Sequence, residues 1–305
     1  MTVALRPVLP SDLDAFYANQ ADAEAAAVAG VPSRDRAAFD AHWARMLAEP
    51  DGPLRTVLVD GAVAGNLVSW RDGGRRLVGY WLGREWWGRG VATAALRLYL
   101  AELTERPLHA LVSHRNAASA RVLEKCGFLP VSRDEIGVSY ELPVAVTLRT
   151  YGPDDLALLE RGNAPELMTF LGGPETPEAV RARHERYASM PPEVGNQRVV
   201  LVGGEPAGFL AWWPREWRGE GVYEIGWKVL PEFGGRGVAT AATRAGLAEA
   251  RGDGRHRYVH AFPRTDNAAS NAVCRRVGFT LLGECDFEYP KGFPIVSNDW
   301  RYDLA

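Results

Sequence analysis

The chain has 305 residues, of which 47% are hydrophobic and 24% charged, a composition that suits one large globular domain or two of about 150 residues. A formal net charge of −3 and a pI near 6.1 indicate no strongly basic face, so nucleic acid is not an expected partner. Three cysteines without CxxC spacing predict neither a disulfide framework nor a metal site. Without a signal-peptide pattern or a long apolar run, we expect a cytoplasmic protein that does not bind membranes.

The first half of the chain predicts a strand, helices, a β-hairpin, a central strand that leads through a Gly-rich turn into a helix, and a further strand followed by a helix. The first strand ends at a Pro-x-Asp-Leu turn, where Asp12 or Ser11 is predicted to cap the helix that follows. The predicted ranges are residues 37–48 for the first clear helix, 55–59 and 63–70 for the hairpin, 77–82 for the central strand and 109–113 for the later strand.

The second half repeats this order of elements. Residues 88–95, Gly-Arg-Gly-Val-Ala-Thr-Ala-Ala, recur letter for letter at residues 235–242, which is 147 positions later. The Leu-Arg pair at residues 5–6 returns at 148–149, and Asn-Ala-Ala-Ser at 116–119 returns at 267–270. Because the order is kept while the spacing grows, we interpret the repeat as a duplicated domain and not as a solenoid.

We place the boundary after Pro143, which gives an N-terminal domain of residues 1–143 and a C-terminal domain of residues 144–305. Each domain is expected to be α/β, a mixed α+β sheet with helices on both faces. The junction has no Gly/Ser linker, so we expect the two domains to pack together. The sequence does not indicate an oligomeric state.

The Gly-rich turn has a chemical meaning beyond its geometry. A strand, a turn with glycines and a helix start place free backbone N–H groups and the positive helix end around one point, which favours a phosphate. A nucleotide P-loop would require Gly-Lys-Ser/Thr, and a dinucleotide fold a sixth-position glycine where Thr93 and Thr240 stand. The remaining alternative is that the glycines only permit a tight turn.

Together with the downstream Asn-x-x-Ser and Gly-Phe motifs in both copies, the turn resembles the GNAT superfamily of N-acetyltransferases. The family signature Gln/Arg-x-x-Gly-x-Gly/Ala aligns at residues 87–92 and 234–239, with Trp87 and Gly234 in place of the usual Gln/Arg. The segments Gly-Tyr-Trp-Leu at 79–82 and Val-Leu-Glu-Lys-Cys-Gly-Phe at 122–128 are closest to the branch that acetylates protein N-termini, the ribosomal-protein type. The resemblance covers nearly the whole chain.

The resemblance implies acetyl-CoA, or another acyl-CoA, as co-substrate and no metal. It places the acyl-CoA in a V-shaped gap beside the central strand, where a backbone N–H meets the thioester oxygen. The residues that it implies in cofactor binding are, in the N-terminal domain, Trp81, Leu82, Trp87, Gly88, Arg89, Gly90, Val91, Ala92, Thr93 and Asn116, and in the C-terminal domain, Lys228, Val229, Leu230, Gly234, Gly235, Arg236, Gly237, Val238, Ala239, Thr240 and Asn267.

For catalysis, the tyrosine that protonates the leaving thiolate in much of the family is absent, since Leu123 and Cys274 stand at its positions. In the branch resembled, the serine of Asn-x-x-Ser replaces it, which points to Ser119 and Ser270; a plain helix-start serine is the alternative. Glu224, at the start of the central strand, is the candidate base, and Leu77 stands at its position in the first copy. Three histidines near the following strands are further candidates: His109, His114 and His260.

The acceptor is expected to be a primary amine, either a peptide or protein N-terminus or a small molecule. Asp286, Glu288, Tyr289 and the loop at residues 290–294 are candidates for the amine-binding side of the second copy, or else an ordinary charged hairpin edge. Two alternatives stay open: a longer acyl donor, including one on an acyl carrier protein, and a domain that binds acyl-CoA without catalysis.

Overall fold

The computed structural model describes residues 1–289, 292 and 294–305 and divides the chain into two compact units, Met1–Pro143 and Val144–Ala305. Each unit contains one seven-stranded sheet with helices on its faces. All neighbouring strands in each sheet are antiparallel except one central parallel pair. The predicted fold class, two tandem domains with mixed α/β sheets, is therefore confirmed.

The N-terminal domain has the strand order β1-β2-β3-β4-β5-β7-β6. Its strands are β1 (Val3–Pro7), β2 (Arg55–Val59), β3 (Ala62–Asp72), β4 (Arg75–Leu82), β5 (Leu108–Ser113), β6 (Leu129–Arg133) and β7 (Gly137–Leu142). Its helices are α1 (Leu13–Ala21), α2 (Ala23–Ala29), α3 (Arg36–Ala48), α4 (Val91–Glu102) and α5 (Ala117–Lys125).

The C-terminal domain has the same arrangement, with the order β13-β14-β12-β11-β10-β9-β8. Its strands are β8 (Thr147–Thr150), β9 (Asn196–Val202), β10 (Glu205–Trp217), β11 (Glu220–Val229), β12 (Tyr258–Ala261), β13 (Thr280–Glu288) and β14 (Pro294–Asp303). Its helices are α6 (Leu156–Arg161), α7 (Pro165–Met168), α8 (Pro177–Ala188), α9 (Val238–Asp253) and α10 (Ala268–Val277).

The repeated Arg and Asp near the start of each domain form a partly buried ion pair. Arg6 Nη2 donates to Asp12 Oδ1 at 2.7 Å, and Arg149 Nη2 donates to Asp155 Oδ1 at 2.7 Å. Burial disfavours the Asp12 carboxylate, but hydrogen bonds from Arg6 and Thr56 outweigh it and lower the pKa of Asp12 to about 2. The Asp12 side chain makes no cap hydrogen bond to α1, so the prediction that it caps this helix is wrong.

The central parallel pair is short in both sheets, and this feature positions the site. Strands β4 and β5 pair only at Arg76–Leu108 and Leu77–His109, although both strands continue. Strands β11 and β12 pair only at Tyr223–Val259 and Glu224–His260. Beyond these pairs the strands separate, so each sheet has a V-shaped opening that ends at the Gly-rich turn.

The two domains cover the outer face of this opening differently. In the N-terminal domain, α1 and α3 place Phe16, Phe39 and Trp43 in a buried aromatic cluster against β3. Helix α2 ends at Gly30, where an added Cβ would lie 2.9 Å from Ser113 Oγ at the end of β5. In the C-terminal domain, the four-residue α7 follows α6 in the chain as α2 follows α1, and α6, α7 and α8 line a cavity that also reaches the central strand β11.

Candidate active sites

The Gly-rich turns have the geometry of an anion cradle. Gly88 and Gly90 have φ of +69° and +80°, and Gly235 and Gly237 have +70° and +75°, values that glycine adopts without strain. Gly90 and Gly237 are the N-caps of α4 and α9, and neither helix start has a side-chain cap. No side chain therefore caps the N–H groups of the first helical turn, and the predicted phosphate site at each turn stays a prediction.

In the C-terminal domain, a cavity of about 680 Å³ extends through the opening between β11 and β12. One side is lined by the turn and by α10, including Gly235, Gly237 and Ser270. The other side is lined by Glu224 and by residues of α6, α7 and α8. A thioester bound from one side would therefore be reachable by an amine from the other.

Glu224 is a buried carboxylate bound to a cation. Its side chain is 12% exposed and forms an ion pair with Arg215 of β10. Burial raises the pKa of Glu224, and the positive charge of Arg215 only partly opposes that shift. Arg215 in turn lies 4.6 Å from the ring centroid of Phe287. A carboxylate with a raised pKa, aimed into a cavity, has the properties of a general base.

Ser270 and Asn267 lie at the start of α10 in the same cavity. Asn267 Oδ1 accepts a hydrogen bond from Ser270 N at 3.0 Å and so caps the helix. The Ser270 hydroxyl has no hydrogen-bond partner among the described residues. Asn116 caps α5 in the same way, with Ser119 N at 2.9 Å from Asn116 Oδ1.

The N-terminal domain has a smaller cavity of about 410 Å³, lined by α2, the end of β4, the turn and α5. Leu77 and the residues of α1, α3 and β3 do not line it. Where the second domain has Glu224 facing its cavity, this domain has an aliphatic side chain, and its cavity does not reach Leu77.

Tyr80 is a functional candidate that sequence reasoning missed. Its hydroxyl lies 2.7 Å from Ser119 Oγ inside the N-terminal cavity. Burial raises the pKa of Tyr80 to about 12, so the phenol keeps its proton and is a hydrogen-bond donor. Trp227 is the matching residue of β11, and it has no hydroxyl to bind Ser270. The difference between Tyr80 and Trp227 in aligned strands was the signal available in the sequence.

The departures from the family signature have opposite consequences in the two turns. Trp87 Nε1 donates to the carbonyl of Leu82 at 3.1 Å, so this carbonyl at the end of β4 is already bonded. Gly234 has no side chain with which to reach the matching carbonyl of Val229. The turn of the second domain therefore has no side chain that hydrogen-bonds the edge of β11 as Trp87 bonds the edge of β4.

Most of the candidate residues line the cavities, but some do not. Trp81, Leu82, Trp87, Gly88, Gly90, Val91, Ala92, Thr93, Asn116 and Ser119 line the first cavity, and Glu224, Lys228, Val229, Gly234, Gly235, Gly237, Val238, Ala239, Thr240, Asn267 and Ser270 line the second. The arginines of the turns do not line them, because Arg89 stacks on Trp86 and Arg236 on Phe233. Leu230 is also absent, since its side chain is in the core.

The residues at the family's usual tyrosine position are buried away from both cavities. Leu123 and Cys274 are 1% and 0% exposed, and burial raises the pKa of the Cys274 thiol to about 12. Of the candidates for the amine-binding side, Tyr289 lines the second cavity, whereas Asp286 and Glu288 do not. Phe287, which lies between these two on β13, also lines the cavity, because alternate residues face opposite sides of a strand. In the loop at 290–294, Pro290, Lys291 and Phe293 lie outside the described residues.

The candidate histidines differ in their surroundings. His260 is buried, and its Nδ1 lies 2.6 Å from Asp299 Oδ1 on β14. His114 Nε2 lies 2.6 Å from the carbonyl of Asp134, at the surface. His109 pairs with Leu77 in the β4–β5 register. Across residues 1–289, 292 and 294–305, no group of three or more His, Cys, Asp or Glu side chains is placed to hold a metal ion.

Within the part of the chain that the structure describes, no helix combines the length and apolar character that crossing a membrane requires.

Several solved structures are similar to part of the chain. An aminoglycoside acetyltransferase AAC(6')-Ib in complex with coenzyme A is 22% identical, with a TM-score of 0.45, and the match covers 52% of this chain and 95% of that one. A GNAT-family acetyltransferase from Bacillus anthracis is 18% identical, with a TM-score of 0.44 and coverage of 58% and 98%. An acetyltransferase from Salmonella typhimurium that modifies the N-terminal serine of ribosomal protein L7/L12 is 23% identical, with a TM-score of 0.45 and coverage of 53% and 98%. No curated protein matches the chain by sequence.

The family model described as "Acetyltransferase (GNAT) domain" matches the chain twice, at residues 2–129 and 145–280. The two matches fall in the two compact units, and each includes a Gly-rich turn and an Asn-x-x-Ser helix start. The chain therefore belongs to the GNAT acetyltransferase family, as a tandem enzyme of the acetyl-CoA-dependent N-acyltransferase class.

Proposed function

We propose that the C-terminal domain, residues 144–305, transfers an acetyl group from acetyl-CoA to a primary amine by direct attack in a ternary complex. The observation that supports this is the continuous cavity through the opening of its sheet. It joins an anion cradle on one side to a buried carboxylate, Glu224, on the other. No covalent enzyme intermediate is required for amide formation from a thioester.

In this proposal the turn from Gly234 to Thr240 holds the pyrophosphate, and the free edge from Lys228 to Leu230 holds the pantetheine arm. A backbone N–H of that edge stabilises the developing oxyanion. Glu224 accepts the proton of the attacking ammonium group, directly or through a water molecule. The neutral amine then attacks the thioester carbon and the N–C bond forms. As the C–S bond breaks, the Ser270 hydroxyl donates a proton to the leaving thiolate and takes up the second proton that the nitrogen loses.

For the N-terminal domain, residues 1–143, we propose acyl-CoA binding without acceptor chemistry. Three features favour this role. Leu77 replaces the base, and α2 ends against β5. An aromatic cluster also packs α1 and α3 against β3, on the face of the sheet away from the Gly-rich turn, which we call the acceptor face. The cradle at Gly88 and Gly90 is retained. Residues 81–82, 87–93 and 116 are the proposed binding set, with Ser119 hydrogen-bonded to Tyr80.

Glu224→Gln, with Leu77→Gln as the matched control, tests this assignment. Acyl transfer would be followed by mass spectrometry over a panel of amines, from peptides to small molecules, with acetyl-CoA and longer acyl donors. Removing a general base costs about 10²–10⁴-fold in turnover, so we expect that loss for Glu224→Gln and full turnover for Leu77→Gln. Acetyl-CoA affinity, measured by calorimetry, should be unchanged in both. Full turnover by Glu224→Gln would contradict the proposal.

A further inference from the structure

On the acceptor face of the C-terminal cavity, residues 224–228 of β11 form a surface, here called the floor, with a charged side chain at each end. Glu224, Gly226 and Lys228 alternate along β11, so they face the same side of the sheet. Gly226 leaves the middle open: a Cβ added there would meet only Trp213, at 3.8 Å. The Cα atoms of Glu224 and Lys228 are about 14 Å apart, since an antiparallel strand rises about 3.4 Å per residue.

Lys228 has more hydrogen-bonding capacity than the protein uses. Its Nζ donates to the carbonyl of Gly162 at 2.8 Å and contacts Met168 Sδ at 2.8 Å, a weak acceptor. No carboxylate of the described residues lies within 4.0 Å of it. Burial lowers the pKa of Lys228 to about 8 and the nearby charge of Arg183 adds to the effect, yet most of the ammonium groups remain protonated at pH 7.

A second cation lines the same cavity. Arg183 of α8 is 8% exposed and forms an ion pair of 2.7 Å with Glu175. Glu175 thus forms an ion pair with Arg183 and also interacts electrostatically with Lys228. Glu224 is already paired with Arg215. Glu166, the other acidic residue of the cavity lining, is exposed. A partly buried surplus of positive charge is unfavourable unless a bound anion compensates it.

The N-terminal domain shows that the structural part of this arrangement does not require a charge. Trp81 stands at the position of Lys228, and its Nε1 donates to the carbonyl of Asn19 at 2.9 Å. Asn19 and Gly162 are matching residues at the ends of the corresponding helices. A neutral indole N–H is therefore sufficient to hydrogen-bond the end of this helix to the central strand. The ammonium of Lys228 supplies a charge that the fold itself does not use.

We propose that the acceptor of the C-terminal domain is an amine that also carries a carboxylate, and that Lys228, with Arg183, binds this carboxylate while the amine lies towards Glu224. The inference rests on the proposed function of that domain and specifies its substrate class. An amino acid, or a short peptide with a free C-terminus, carries both an amine and a carboxylate. The aromatic walls, Trp213, Tyr187 and Tyr289, favour an acceptor with an apolar side chain. A polycationic amine would be repelled by the same two cations.

Matched acid and amide ligands test the inference through binding alone. Phenylalanine and phenylalaninamide, and glycylphenylalanine and its amide, would be titrated into the full chain saturated with coenzyme A. Because a hydrogen bond to a charged group is strong, we expect at least one acid to bind about tenfold or more tightly than its amide. Lys228→Met should remove that ratio, Lys228→Arg should retain it, and Arg257→Gln, which breaks an exposed ion pair, should leave it unchanged.

Equal affinities for acid and amide, no binding of any of the four compounds, or an unchanged ratio in Lys228→Met would overturn the inference. Unaltered hydrogen-exchange protection of β10 and β11 in Lys228→Met shows that the domain still folds. Acetyl transfer to the same compounds separates the two proposals. Selective binding of the acids without transfer counts against the proposed function alone, whereas transfer to acids and amides with equal kcat/KM counts against the carboxylate site alone.

Discussion

The two domains share a sheet topology and a Gly-rich turn, and they differ on the face of the sheet away from that turn. In the N-terminal domain an aromatic cluster packs α1 and α3 against β3 on this face, the central strand presents Leu77 and Trp81, and the cavity reaches Trp81 but not Leu77. In the C-terminal domain it is a cavity whose floor presents Glu224 and Lys228. The difference shows that a retained phosphate cradle and a retained acceptor site are separate properties, because different elements build them.

The largest expected effect concerns what fills the two acceptor faces. Trp43→Ala should destabilise the N-terminal domain by about 3–5 kcal/mol, because it opens a cavity in a closed cluster. Tyr187→Ala removes a half-buried side chain beside an existing cavity and should cost clearly less, about 1–2 kcal/mol. Hydrogen exchange at β3 and β10 reports the two domains separately. Similar costs in both domains would mean that the faces are equally closed.

The next effect tests whether both turns bind coenzyme A. Gly90→Val and Gly237→Val place a β-branched residue at φ near +80° and +75°, which costs about 1–2 kcal/mol each, and they cover the helix-start N–H groups. We expect each variant to weaken one site about tenfold or more and to leave the other unchanged. Calorimetry with acetyl-CoA measures the number of sites and their affinities. A single site in the wild-type protein would reduce the first turn to a structural role.

The pH dependence of turnover should reveal the base of the C-terminal domain. Burial raises the pKa of Glu224 above the ordinary value for glutamate. Glu224 acts only when deprotonated, so kcat/KM should fall about tenfold per pH unit below that pKa and reach a plateau above it. The acceptor amine also gains reactivity as the pH rises. In Glu224→Gln, the pH dependence caused by the amine should remain and the one caused by the carboxylate should disappear. The difference between the two profiles identifies the contribution of Glu224.

The smallest effect concerns the pair of hydroxyls in the N-terminal cavity. Tyr80→Phe removes the hydrogen bond to Ser119 and should cost about 0.5–1.5 kcal/mol of stability. Because the pair lies in the domain without an acceptor face, turnover should be unchanged. Trp227→Phe, at the matching position of the second domain, is the comparison variant. A large loss of turnover in Tyr80→Phe would assign chemistry to the first domain.

Much of the fold was predictable because its signals are local. The exact recurrence at residues 88–95 and 235–242 indicates a duplication without any structural information. Strand alternation, hairpin turns and glycines at helix starts depend on neighbouring residues, so the central strands and the turns were expected near their observed positions. Asp12 shows the limit of such signals, because its carboxylate prefers Arg6 and Thr56, which β1 and β2 bring to it, over the helix that follows it.

The site was predictable only where one segment builds it. The sequence by itself determined the duplication, the family resemblance and the two cradles, since the residues of each cradle are consecutive. Tertiary structure decided that Arg215 binds Glu224, that Tyr80 meets Ser119, and that Lys228 lies near Arg183 without a carboxylate of its own. These residues are brought together by strand register and by helices packed across a sheet. Their energies depend on burial, and burial is a property of the packed domain.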